Sequence, residues 1–290
     1  MEFKYFEVIK GLIEKVETEE SPRMELCVDA LFDCVKRKNS IYAFGASHAG
    51  ILTEELFYRA GGCMLINLIF ARELMLDTKP VTHTSSMERL TGYGSAVARD
   101  QVDFKEGDVL IVHSVSGRNP VGIEMAMAAK EAGGTVIAIT NLSYSKSVES
   151  RHPSGKRLFE IADIVLDNHG DVGDAAVSID GLDQKVAPTS TVVGATMLDA
   201  IVAALVQKLV NSGMKHPPVF YSANLDGGDE LNKRLFEEYK DCIHYELKPC
   251  NKSSWRRGFG AKPTGRTPCA PGPSRADPRL GKWGRVGRPR

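Results

Sequence analysis

Three short turns carry the residues best suited to chemistry in this sequence. Gly45-Ala46-Ser47-His48-Ala49-Gly50 follows one apolar run, Ser114-Val115-Ser116-Gly117-Arg118-Asn119-Pro120 follows a second, and Thr140-Asn141-Leu142-Ser143 closes a third. Each sets small residues and hydroxyls at the start of a helix. Free amides at a helix N-terminus and the helix dipole both favour negative charge. Hydroxyls donate to phosphate oxygens without adding positive charge. One Ser in such a place is explained as a helix cap; two strands that each deliver Ser favour an anion site. There is no G-x-x-x-x-G-K-[ST], and residues 45–50 lack a G-x-G start, so a monophosphate fits better than a nucleotide.

The turns must be positioned by an alternation of apolar strands and helices. Residues 41–44, 64–68, 108–113, 135–140 and 163–166 read as strands, and 48–61, 85–99, 120–132, 190–212 and 229–242 as helices. Strands that are apolar throughout, alternating with helices, indicate a parallel sheet covered on both faces. The expected fold is α/β, a three-layer sandwich on a five-stranded, doubly wound parallel sheet. In such sheets ligands sit beyond the C-terminal ends of the strands. The turns after the first and third strands therefore share one edge. Ahead of the sheet, a helical extension over 1–39 divides into helices 3–20 and 23–38, with Ser21 capping the second and Pro22 at its first position. Apolar stripes such as Phe3, Phe6, Ile9, Ile13 and Val16 predict a homo-oligomer, dimer or tetramer.

Composition removes several classes. From Lys248 onward there are 12 Lys and Arg against the single acid Asp277, so residues 1–247 hold 25 basic and 36 acidic residues. An acidic body argues against nucleic acid as a partner, because phosphate-backbone binding needs a basic face. No continuous apolar run approaches the roughly 20 residues that span a membrane. Glu2, Lys4, Glu7 and Lys10 do not read as a signal peptide. The six cysteines form no disulfide framework and no C-x-x-C pair. A cytoplasmic protein without metal or cofactor is expected. Residues 1–247 read as one domain. Residues 248–290 hold 7 of the 14 prolines, with Leu280 and Val286 their only branched aliphatics, and so read as a disordered basic tail, possibly non-native. Truncation after Leu247 should leave the thermal midpoint and ligand binding unchanged; a large loss in either would give the tail a role.

Ser114-x-Ser116-Gly117-x-Asn119 after a strand, a helix ending Ala132-Gly133-Gly134, and the strand 135–140 together resemble the SIS (sugar isomerase) domain. Gly45-x-Ser47 is similar to that family's first loop, and 158–166 to its fifth strand. The resemblance covers about 25–215 and leans to the phosphoheptose-isomerase-like branch. It implies phosphosugar binding, with Ser47, Ser114, Ser116 and Asn119 on the phosphate and Gly117 giving the backbone room to approach. Asn119 stands where the family usually has Thr. It also implies aldose–ketose chemistry, in which a carboxylate removes the proton beside a carbonyl to give an enediol. Thr53-Glu54-Glu55-Leu56 offers two carboxylates, of which Glu55 matches better. His48 is a candidate ligand, proton carrier or cap, and His169 a candidate substrate contact. Ser190, at the start of the 190–212 helix, adds a hydroxyl or caps the helix. His113, inside a strand, reads as structural. That helix lacks the second catalytic His of phosphoheptose isomerases, which sets the heptose reaction itself apart.

Two function classes follow. One is a phosphosugar isomerase or related enzyme. The other is a non-catalytic sugar-phosphate sensor or regulatory subunit. A DNA-binding regulator would carry a basic recognition helix, whereas the first 40 residues are acidic at Glu14, Glu17, Glu19 and Glu20.

Overall fold

A computed structural model describes residues 3–222 and 224–245. The basic tail, 248–290, lies outside the described residues, as does Ala223. The chain runs α1 (Lys4–Arg37), β1 (Ile41–Gly45), α2 (Gly50–Leu56), β2 (Ile66–Leu68), α3 (His83–Glu88), α4 (Tyr93–Gln101), β3 (Val109–His113), α5 (Pro120–Glu131), β4 (Thr135–Thr140), α6 (Leu142–Ser147), β5 (Ile164–Asp167), β6 (Ala175–Val177), β7 (Val186–Pro188), α7 (Ser190–Asn211) and α8 (Gly228–Glu238).

The main sheet has the order β2-β1-β3-β4-β5 and is parallel throughout. Its strands alternate between two cores, as the two-residue period of a strand requires. Ile41, Ala43, Val109, Ile111, Ile137 and Ile139 face α1, α2, α7 and α8. Tyr42, Phe44, Leu110, Val112, Val136 and Ala138 face α4 and α5. This is the expected three-layer α/β sandwich. Burying one such aliphatic side chain contributes about 1.5–3 kcal/mol, so both faces are strongly specified.

Two N-terminal helices were expected, and one is present. α1 runs unbroken for 34 residues with Pro22 inside it. Proline removes an intrahelical bond at a local cost of about 3 kcal/mol. The stripe Val16, Cys27, Val28, Leu31, Cys34 and Val35 crosses the proline and is buried along its length. The Ser21 hydroxyl donates to the Glu17 carbonyl just ahead of it. Buried Glu20 accepts the Asp167 amide of β5 at 3.3 Å, so the segment around Pro22 is held from outside the helix. Tertiary burial outweighs the local break.

α7 is long and apolar enough to cross a membrane by length and composition. No continuous apolar run marks it in the sequence, because Asp199, Gln207 and Lys208 interrupt it. Here its stripe Val193, Met197, Ile201, Leu205 and Leu209 belongs to the core shared with α1. The predicted helix over 85–99 is two helices, α3 and α4, that meet at Gly92 (φ 88°). The predicted helix over 48–61 is a single 3-10 turn at Ser47–Ala49 followed by α2, which stops at Leu56. The antiparallel pair β6–β7 had not been anticipated.

Candidate functional site

Parallel register sets Gly45 beside His113, so the turns that leave β1 and β3 emerge together at one edge. Between them lies a cavity of about 270 Å³. Ser47, His48, Ser114, Ser116 and Asn119 line it, with Glu88, His113, Tyr144 and Asp174.

The β3–α5 turn is held from behind. The carbonyls of Val115, Gly117 and Arg118 accept the amides of Asn141 (3.0 Å), Leu158 (2.8 Å) and Arg151 (2.9 Å). Asn141 is itself fixed, its Oδ1 accepting the Tyr144 amide at 2.7 Å and its Nδ2 donating to the Gly170 carbonyl. The carbonyls are thus directed at neighbouring loops. Among the described residues, the amides of Val115 to Asn119 have no acceptor, and the hydroxyls of Ser47, Ser114 and Ser116 have no partner. Successive free amides ahead of a 12-residue helix have the geometry that suits an anion. Ser47 sits at φ 57°, a conformation uncommon for a non-glycine residue and often found at functional sites.

Gly117 was expected to make room for a ligand. Its φ is 57°, and a side chain there would meet Ser145 Oγ at 2.9 Å and Leu158 Cβ at 3.3 Å. The glycine is needed for the turn and for packing behind the loop. Asn119 lines the cavity, but both ends of its amide are engaged. Nδ2 donates to Glu88 Oε2 at 2.8 Å, and Oδ1 accepts from Arg151 Nη1 at 2.9 Å.

Glu88 was not singled out from the sequence. It ends α3, and α5 fixes that corner. Buried Glu124 accepts the Gly92 amide at 2.6 Å and the Ser95 amide at 3.1 Å, pinning the start of α4. Gly94 packs so closely on α5 that a Cβ would stand 2.4 Å from the Val121 carbonyl oxygen. Burial pushes the Glu88 carboxyl up from its ordinary pKa, partly offset by the Asn119 hydrogen bond and by Arg89, Arg151 and His48. A carboxylate with a raised pKa in a cavity has the character of a general base.

The other named residues lie elsewhere. Glu55 lines a separate cleft between α2 and α7 with Arg59, Asp199, Val202 and Val206, and pairs with Arg59. Leu52 and Leu56 anchor α2 in the core, with Leu52 Cδ1 against Gly194, and this turns Glu55 away from the strand ends. His169 does not line the cavity either. Its Nε2 lies 3.1 Å from Glu20 Oε1 and its Nδ1 3.6 Å from Asp167 Oδ2, so it ties α1 to the end of β5. Ser190 is buried, its hydroxyl donating to Asp174 Oδ2 at 2.6 Å and its amide to Asp174 Oδ1 at 2.8 Å. Asp174 therefore caps α7 and occupies the anion position at that helix end. Within 168–174 the cavity-lining residues are Gly173 and Asp174, not His169.

A family model described as the SIS domain matches residues 4–141, which include both turns of the cavity. The UPF0309 protein of Shouchella clausii is 53% identical over 242 residues, covering 83% of this chain and 98% of that protein. The UPF0309 protein of Oceanobacillus iheyensis is 51% identical over 242 residues, with the same coverage of 83% and 98%. The phosphoheptose isomerase of Neisseria gonorrhoeae aligns in structure with a TM-score of 0.48 at 16% identity, over 70% of this chain and 96% of that one.

Proposed function

The chain belongs to the UPF0309 family and carries a SIS domain, and on that premise we propose that it binds a sugar phosphate at the shared edge of β1 and β3. The observation that carries this is the donor set: the hydroxyls of Ser47, Ser114 and Ser116 and the amides of Val115 to Asn119, with no acceptor among the described residues, around one cavity. Each hydrogen bond to a charged oxygen contributes about 1.5–3 kcal/mol. Ser116→Ala should therefore weaken sugar-phosphate binding by roughly ten- to a hundredfold and leave the fold intact. Calorimetry with wild-type affinity in this variant would remove Ser116 from the phosphate site.

The reaction we propose is aldose–ketose isomerisation, with Glu88 as the carboxylate that takes the proton beside the carbonyl. Glu88 supports this role because it lines the same cavity as the phosphate donors and has a raised pKa. His48, exposed at the rim beside Ser47, is the candidate to move the second proton between the oxygens. Glu55, which the family pattern favoured, has neither contact with this cavity nor a free carboxylate. If the protein binds sugar phosphates and exchanges no substrate proton, it is a sensor or regulatory subunit instead.

The same reading expects a homo-oligomer. Phe3 and Phe6 at the start of α1 are 68% and 64% exposed, and Val192 and Val210 lie on the outer face of α7. Burying these faces on a second copy gains apolar area that the isolated chain leaves in water. Light scattering at micromolar concentration should give the mass of a dimer or tetramer; a monomer mass would refute this.

A further inference from the structure

His113 is the last residue of β3, and only 2% of it is exposed. The sequence reads it as structural, but His113 is among the residues that line the same cavity as Ser114 and Ser116. Nδ1 lies 3.1 Å from the carbonyl oxygen of Ala49. A carbonyl can only accept, so Nδ1 carries the proton. Burial lowers the pKa of the ring and keeps it neutral. Nε2 is then a bare lone pair. It is buried and has no hydrogen-bond partner among the described residues.

A buried acceptor without a donor is costly, and such groups in native structures call for an explanation. Asp174, the acidic group nearest in effect, supplies no proton, and both its oxygens are taken by Thr189 and Ser190. The missing donor can arrive through the cavity. The dianion of a phosphate monoester has no proton to donate and cannot fill that role, whereas a sugar hydroxyl can. The cavity thus pairs a set of donors suited to phosphate with an acceptor suited to a hydroxyl.

We propose that His113 is a substrate-contacting residue whose Nε2 accepts a hydrogen bond from a hydroxyl of the bound sugar. The pocket then distinguishes polyhydroxylated phosphate esters from simple alkyl phosphates. This rests on the sugar-phosphate reading above and names the group that recognises the sugar.

The test is nitrogen-15 NMR of the histidine rings in the wild-type protein, with the His113 signals assigned by their loss in His113→Leu. The probes are a panel of pentose 5-phosphates, hexose 6-phosphates and a heptose 7-phosphate, with n-propyl phosphate and methyl phosphate, both kept as dianions at mildly alkaline pH, as hydroxyl-free controls. Phosphorus-31 spectra report binding separately. The free protein should show His113 protonated at Nδ1. A sugar phosphate that binds should shift the Nε2 signal, and the two controls should leave it in place. His113→Gln, which keeps a polar group in the strand, should bind that sugar phosphate roughly tenfold more weakly and n-propyl phosphate as the wild type does. If no sugar phosphate binds, the sugar-phosphate reading falls and takes this proposal with it. If one binds while Nε2 stays unmoved, or if Nε2 moves equally with n-propyl phosphate, the assignment of His113 alone is overturned.

Discussion

Glu88→Gln should lower isomerisation by about 10²–10⁴-fold, the usual contribution of a positioned general base, while sugar-phosphate affinity stays near that of the wild type. Glutamine keeps the shape and can still accept from Asn119 Nδ2, but it cannot take the proton beside the carbonyl. Glu55→Gln should leave turnover unchanged, because that carboxylate lies in another cleft and pairs with Arg59. The readout is proton exchange from substrate into heavy water. Because burial raises the Glu88 pKa, the base is lost to protonation at a higher pH than an ordinary glutamate would be, and turnover should fall as pH drops through that raised pKa. The sign for stability is opposite. A carboxyl with a raised pKa in the folded state favours folding at low pH and loses that contribution as pH rises. Glu88→Gln should therefore be no less stable than wild type at neutral pH. Full exchange in Glu88→Gln, or its loss in Glu55→Gln, would return the base to α2.

Gly45→Ala should cost stability and binding together. The backbone after β1 curls back so tightly that a Cβ on Gly45 would stand 2.4 Å from the Ala49 oxygen, 2.6 Å from its carbonyl carbon and 2.8 Å from the Gly50 nitrogen. All three are backbone atoms, and a rotamer change cannot relieve the clash. The turn must open, which displaces Ser47 from the cavity and the Ala49 carbonyl from His113. Overpacking of this kind costs about 1–3 kcal/mol. The thermal midpoint should drop by several degrees and sugar-phosphate affinity by more than tenfold. Gly194→Ala is a suitable contrast. There the nearest atom is Leu52 Cδ1, the tip of a side chain that can rotate, so the loss should be smaller and binding should persist. Wild-type melting and binding in Gly45→Ala would show that the turn does not have this shape.

The sheet was legible because its strands are buried on both faces and so are apolar without interruption. Val109, Leu110, Ile111 and Val112 need no partner to be recognised. The unbroken α1 was not legible. Pro22 is a strong local signal, and what overrides it is contact with β5, 147 residues away in sequence at Asp167 and Glu20. The short pair β6–β7 was missed because three-residue strands leave no period to read. At the site, Ser47, Ser114, Ser116 and His48 could be placed on one edge because they follow strands of one parallel sheet. Glu88 could not. It belongs to a six-residue helix, and its position depends on Glu124 and Gly94 packing two other helices together. Glu55 was favoured by the family pattern of a Glu on the helix after the first strand, but helix phase decides direction, and Leu52 and Leu56 take the inward phase of α2. Asp174 was hidden for a related reason: its role as the cap of α7 joins segments that only the hairpin brings together.

The central claim is that a sugar phosphate sits at the shared edge of β1 and β3. Mapping backbone amide shifts on the wild-type protein during titration with the same sugar-phosphate panel tests it most directly. The account predicts that the largest changes fall on residues 46–50 and 114–119, with the free amides of Val115 to Asn119 foremost. Changes confined to the cleft of Glu55, Arg59 and Val206, or no change with any sugar phosphate, would contradict it.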